Sequence, residues 1–410
     1  MAIRTLITMW PLFFGLSLIG LTVGVQGSLL GVRAELEGFD DTLIGLLMSC
    51  YYAGFLAGSL YAPRLIQTVG HIRTFGALSA LASVTILVHA SFVDPWTWAA
   101  MRLLTGFAFS AIYVVSESWL NQAATNENRG QILSLYTIIL LSGICAGQFM
   151  LKLADPADFD LFILISVMVS LAAMPILMTV LPTPPREEFQ RVTIAHLWRR
   201  APMGVMGIVL AQWCSSVIFG MGAVYAFKLG MSVSEVANFM AAMMAGGMVI
   251  QWPLGRVSDL IDRRWVMGAA CILAAGAAAM ASRHSSASWE LYLLAFLFGG
   301  FTLSLYSLVV ALTNDHLRPA EIIPASGTIV MVSGLSSVTG PLTVAFLMQT
   351  LGLGSFFLLL AGVLLLMAII SIWRVLTIPA LPSEYKTQST LQAAPAPVGT
   401  VLHAEEEEPQ

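Results

Sequence analysis

The chain has 410 residues, 58% of them hydrophobic and 10% charged, with a net charge of −4 and a mean hydropathy of +0.83. Soluble domains carry about 25% charged residues, so a soluble fold is excluded and an all-α polytopic membrane protein is expected. No basic footprint for nucleic acid is present, nor a phosphate loop, a metal-ligand spacing or an enzyme constellation, so neither catalysis nor a cofactor is expected.

Twelve apolar segments can be counted, each about long enough to cross a bilayer. They run 9–31, 42–62, 74–92, 96–120, 131–151, 160–181, 204–226, 234–254, 265–282, 289–313, 323–348 and 354–375. The first continues to about Leu30 without a cleavage site and is expected to be a span rather than a leader. Cys50, Cys145, Cys214 and Cys271 sit singly in these runs and read as small packing residues, with no disulfide. The expected organisation is a six-helix half over 1–181, a proline-rich basic linker over 182–202, a second half over 203–376, and a disordered tail over 377–410 that ends in Glu405–Glu408.

Between the eighth and ninth segments lies a charged island, Gly255–Arg264, with three arginines and two aspartates. Its plain reading is a cytoplasmic turn held by its positive charge. Its sharper reading is a conformational latch in which Asp259 and the arginines grip a neighbouring helix end. Placing the N-terminus in the cytoplasm puts fourteen of the nineteen Lys and Arg inside and four outside, with Arg102 within a span. That bias places both termini inside.

The chain also repeats itself. Thr137–Gly143 resembles Thr328–Gly334, Gly106-Phe107 resembles Gly300-Phe301, and Ala53-Gly54 resembles Ala245-Gly246, at offsets of 191, 194 and 192. Two copies with six spans each run in the same direction. Parallel six-helix halves are an architecture of secondary transporters, with the substrate path between them near the midplane.

These residues resemble the major facilitator superfamily. Its loop signature after the second helix, echoed after the eighth, is matched in the echo by Gly255, Asp259, Arg263 and Arg264, with Leu260 and Asp262 departing from it. The first copy keeps Gly70 and Arg73 but has Gln67 at the aspartate position. Arg102 to Gly106 resembles a pattern that the family associates with proton coupling, and Asn128-Arg129-Gly130 resembles its Arg-Gly turn. In the fifth segment Gly143 and Gly147 fit the antiporter signature, but Gln148 stands where proline would be; Gly340-Pro341 supplies the pair in the other half. Val114–Ser118 and Gln251–Arg256 also resemble a bacterial branch, the YcaD-like transporters. The resemblance implies transport across a bacterial inner membrane and names no substrate.

Charge at bilayer depth is costly and usually faces a protein interior. Arg102 and Glu117 are the two clear cases, both in the fourth segment. Fifteen residues separate them, about 22 Å along a helix and within roughly 60° of one face. With Gly106, Ser110 and Tyr113 they form a polar stripe expected to line a central cavity. Arg102 and Glu117 are the proton-coupling candidates. The alternative for Arg102 is reaching to the headgroups, and for Glu117 an interfacial carboxylate near Asn121. Gln26, Tyr51, Tyr52 and Gln148, opposed by Gln212, Trp213 and Tyr306, are cavity candidates, each with helix packing as the plain alternative.

The expected function is proton-coupled transport of a small organic molecule by alternating access, with export as the expected direction. An uncoupled facilitator or importer of an anionic metabolite, with Arg102 as the anchor, is the second reading. A non-transporting receptor that docks a partner through the acidic tail is the third. The partners expected are a small-molecule substrate, protons and the lipid bilayer, without an obligate protein.

Overall fold

The computed structural model describes residues 9–124, 129–179 and 192–379. Arg4, Asn128, Arg186, Arg191, Lys386 and Glu405–Glu408 lie outside the described residues, as does the side chain of Arg129. Among the described residues all regular secondary structure is helical. It forms α1 (Trp10–Leu36), α2 (Asp41–Val69), α3 (His71–Ser91), α4 (Pro95–Ala123), α5 (Arg129–Met150), α6 (Asp160–Leu177), the short α7 (Ile194–Arg200), α8 (Pro202–Lys228), α9 (Val233–Leu260), α10 (Arg263–Ala281), α11 (Trp289–Asn314), α12 (Pro319–Leu351) and α13 (Ser355–Thr377). Twelve of these, all but α7, are long and apolar enough to span a membrane.

Lipid offers no hydrogen bonds, so backbone groups are satisfied within helices. Several helices run past their apolar stretch. The 29 residues of α2 reach about 43 Å, which is the bilayer thickness with its headgroups. Specific residues stop them. Gly70, with φ of +89° between α2 and α3, takes a backbone conformation that L side chains rarely adopt. Asp40 accepts from the Leu43 N–H at 2.8 Å, Asp94 from the Thr97 N–H at 2.8 Å, and Ser232 with Glu235 closes a capping box. The charged island after the eighth segment is therefore mostly helical: α9 continues to Leu260, and the turn shrinks to Ile261 and Asp262.

The bundle has two six-helix halves. Within the first, α2 crosses α4 and α1 packs on α5 and α6. Within the second, α9 crosses α11 and α8 packs on α11 and α12. Between halves, α2 meets α12, α5 meets α9, and α1 meets α8. Exchanging the halves turns the first pair into the second and the third into itself, as a two-fold axis requires.

Glycine sets the tightest crossings. A Cβ on Gly54 would strike the Leu103 carbonyl, and one on Gly106 the Tyr51 carbonyl; in the second half Gly246 stands against Phe296 and Gly299 against Met243. Gly147 packs on the Leu21 carbonyl as Gly340 packs on that of Trp213. These pairings register the α4/α11 and α5/α12 repeats at an offset of 193. Gly106 thus corresponds to Gly299 rather than Gly300, and Gly147-Gln148 to Gly340-Pro341. The resemblance of Thr137–Gly143 to Thr328–Gly334 is two residues out of structural register.

Gly54→Ala is expected to lower the stability of the detergent-purified protein by roughly 1–3 kcal/mol, the range for overpacking, because the obstacle is backbone. Gly276→Ala, whose added Cβ meets nothing within 4 Å, is expected to be neutral or to stabilise by up to about 1 kcal/mol. Thermal unfolding of the two variants side by side checks this.

Candidate functional site

Between the halves, towards the end of α5 and the starts of α4 and α9, the helices α1, α2, α4, α5, α8 and α9 enclose a cavity of about 30 Å³ lined by Gln26, Tyr51, Tyr52, Arg102, Gln148, Phe219 and Met240, among others. It has room for about two waters. Arg102, 5% exposed, does not reach for headgroups. Its guanidinium lies 4.5 Å from the centre of the Tyr51 ring, and Nη2 meets the Met48 sulfur at 3.2 Å. Its Nε has no hydrogen-bond partner, nor does Nε2 of Gln26.

The other candidates divide between site and scaffold. Gln148 lines the cavity with both ends of its amide bonded: its Oε1 accepts from the Ser28 hydroxyl at 2.6 Å, and its Nε2 donates to the Gly24 carbonyl at 2.7 Å. It joins α5 to α1. Gln212 lines a second, smaller cavity with Tyr52, Phe55, Leu56, Ser59 and Ser333, and its Oε1 has no partner. Tyr52 lines both cavities, and its hydroxyl donates to the Ser216 carbonyl at 3.3 Å. Trp213 lines neither.

Arg102 is the only member of the expected α4 stripe on the lining of the first cavity. Gly106 is consumed by the α2 crossing, and Ser110 and Tyr113 are fully enclosed with unpartnered hydroxyls. Glu117, 7% exposed, accepts from the Tyr136 hydroxyl at 2.7 Å. Tyr113 and Tyr306 lie within electrostatic reach of it. Tyr306 belongs to the other half, so the surroundings of Glu117 bridge the two halves. Among the described residues no lysine or arginine forms an ion pair with Glu117.

The loop residues hold the second half together. Arg263 joins Asp259 at 3.0 Å and Asp315, at the end of α11, at 2.8 Å. Arg264 pairs with Asp262 at 2.6 Å and donates to the carbonyls of Arg374, in the last turn of α13, at 3.1 Å and of Ile378, just beyond it, at 2.9 Å. Gly255 lies in the last turns of α9. In the first half Gly70 makes the turn and Arg73 is exposed. The linker helix α7 packs on α8 and α12. There His196 meets Glu321 at 3.0 Å. The Arg318 N–H, and secondarily His196, holds the Glu321 carboxyl below its usual range.

A charged contact between the halves lies where no motif marks it. Lys228, ending α8, pairs with Glu35 of α1 at 3.0 Å and Asp41 of α2 at 2.6 Å. Thr42 hydrogen-bonds Gln349 across the same gap, and Lys152 reaches Asn238 at 2.7 Å. All these lie at the face opposite the start of α1 and the end of α13. With the midplane contacts Tyr52–Ser216 and Gly334–Leu56, they join the halves from that face to the middle of the bundle. Lys228 is one of the four Lys and Arg that the charge count places outside, and both of its acids belong to the other half of the chain.

The family model described as Major Facilitator Superfamily matches residues 12–252 and 204–404. An uncharacterized MFS-type transporter of Yersinia pestis (strain Pestoides F) is 27% identical over 358 residues, covering 86% of this chain and 92% of that one. The uncharacterized MFS-type transporter YcaD of Escherichia fergusonii is 26% identical over 355 residues, with the same coverage. In fold, the chain is similar to a mutant of the nucleoside transporter NupG, with a TM-score of 0.76 at 13% identity over 89% of this chain and 99% of that one. It is similar also to a bacterial homologue of the human lysosomal transporter Spinster in an inward-facing, occupied conformation, with a TM-score of 0.72 at 13% identity over 92% and 97% of the two chains.

Lys228→Met leaves Glu35 and Asp41 without their cation and removes charged hydrogen bonds worth about 1.5–3 kcal/mol. The closed far face is expected to lose population. In a cysteine-free background, the rate of cross-linking between Thr42→Cys and Gln349→Cys by a short bifunctional reagent is expected to fall severalfold.

Proposed function

The chain belongs to the Major Facilitator Superfamily, and from that premise we propose that it is a proton-coupled secondary transporter, moving a small organic molecule by alternating access. Membership makes it a multi-pass membrane transporter of a bacterial inner membrane, not an enzyme. Coupling, residues and orientation are the proposal.

The charge bias of the loops supports cytoplasmic termini. The far face is then the periplasmic one, and a bundle joined from that face to its middle is closed to the outside. Transport requires the contacts around Lys228 to part as the opposite ends of the halves approach.

The observation that carries the coupling is Glu117: a buried carboxyl bonded to the Tyr136 hydroxyl, without a cation among the described residues, in a setting shared by both halves. An anion at this depth is costly, so a change in the packing of Tyr306 alters how readily the carboxyl holds a proton. Arg102, about 22 Å away along α4, is the fixed charge on the cargo side. Gly255, Asp259, Arg263 and Arg264 serve as the brace that keeps the second half rigid while it rocks, with Gly70, Arg73 and Arg129 in the corresponding place of the first.

In proteoliposomes with an imposed pH gradient, substrate flux is expected to collapse on adding an uncoupler. Glu117→Gln is expected to abolish the proton signal while exchange of substrate across the membrane persists. Flux indifferent to both the gradient and the substitution would favour an uncoupled facilitator.

A further inference from the structure

Arg102 is enclosed, and no carboxylate among the described residues is paired with it. Its electrostatic neighbours are Tyr51, Tyr52 and Cys50. A guanidinium at bilayer depth normally has an anionic or carbonyl partner; this one has a ring face and a thioether. The atoms left over at the cavity are donors, Nε of Arg102 and Nε2 of Gln26. Gln26 is 2% exposed, so neither donor is satisfied from bulk water. Two unsatisfied donors, one of them charged, specify an acceptor bearing negative charge. Small residues, Gly24, Gly27 and Gly220, line the same space and let such a group sit close to backbone.

Size and charge narrow the class. About 30 Å³ suits a carboxylate, which is two oxygens on one carbon. A single cation balances a single negative charge, whereas a phosphate monoester carries about −1.5 to −2 and would leave charge uncompensated. Beyond Tyr52 the second cavity presents the opposite chemistry. Oε1 of Gln212 is an unpartnered acceptor, beside Ser333, whose hydroxyl is turned to that of Tyr306. A neutral hydroxyl that donates answers Gln212.

Resting on the transporter reading above, we propose that the cargo is a small organic monocarboxylate bearing a hydroxyl. Its carboxylate is held by Arg102 and Gln26 against Tyr51, and its hydroxyl lies past Tyr52 at Gln212 and Ser333. The cargo arrives as an anion, so a proton at Glu117 offsets its charge on the way through.

The test is binding to the purified full-length protein, read as the shift in its unfolding midpoint at constant ionic strength. The probes are 4-hydroxybutyrate, lactate and 4-hydroxybenzoate, each beside its uncharged amide. At least one acid is expected to bind roughly tenfold or more tightly than its amide, the difference of one charge-assisted contact. Gln26→Ala and Arg102→Gln are expected to erase that preference, and Arg102→Lys to keep part of it. Gln212→Ala is expected to weaken the hydroxy acid towards the affinity of its deoxy counterpart. Amides that bind as well as acids, no binding by any of the three acids, or an acid preference that survives in Gln26→Ala and Arg102→Gln would overturn the anion site. Because Gln26 has an unmade bond to lose, its truncation keeps the test open if Arg102→Gln does not fold. A pH-gradient-driven flux of uncharged compounds would leave the transporter reading standing while the anion site fell.

Discussion

Four glycines fix where everything else can be. Gly54 and Gly106 let α2 and α4 touch backbone to backbone, and Gly246 and Gly299 do the same for α9 and α11. In lipid, helix association relies on such close packing, because apolar side chains gain little by leaving one apolar solvent for another. The crossing draws α4 into the bundle beside α2, which is why Arg102 lies over Tyr51 instead of reaching outward. The same crossing uses up Gly106, so the α4 stripe is split. One end opens on a cavity, and the rest is sealed among Tyr113, Tyr136 and Tyr306.

Buried polar groups here fall into two populations with different uses. Gln148, Arg263 and Arg264 have their bonds made by neighbouring helices. They hold elements together, and a partner molecule could gain from them only by breaking bonds. Arg102, Gln26, Gln212 and Tyr113 each keep an atom without a partner. Unmade bonds are expensive in a low-dielectric interior, and Arg102, Gln26 and Gln212 keep theirs on the lining of the two cavities. A protein that must release its cargo cannot satisfy such groups permanently with its own atoms.

Much of the fold was legible because lipid imposes a simple code: apolar length gives spans, and repeated glycines give copies. Segment edges drifted where helices run on through the headgroups, as α9 does to Leu260, because hydropathy reports the solvent and not the hydrogen bonding. The repeat was seen with its register scattered over 191 to 194. Side-chain similarity did not follow packing, since Ile138 is 46% exposed and its look-alike Ile329 4%, while the backbone approaches at Gly147 and Gly340 carry the register. Depth flagged Arg102 and Glu117 correctly as enclosed. It could not say that Gln148 is committed and Gln212 is not, since both are glutamines in apolar runs and only their neighbours tell them apart. Lys228 escaped notice because its role is set by helix ends contributed from the other half.

The three charges at the far face carry one more consequence. Lys228 sits between Glu35 and Asp41, so the group holds one negative charge more than positive. While the face is closed, the pairs are partly buried and dissolved ions screen them little. Once parted, each charge stands in solution, where screening acts over about 8–10 Å. Ionic strength on that side of the membrane therefore favours the parted arrangement. In the orientation proposed above, the resting balance of the two conformations is tied to the salinity outside the inner membrane, through a contact that never touches the cargo.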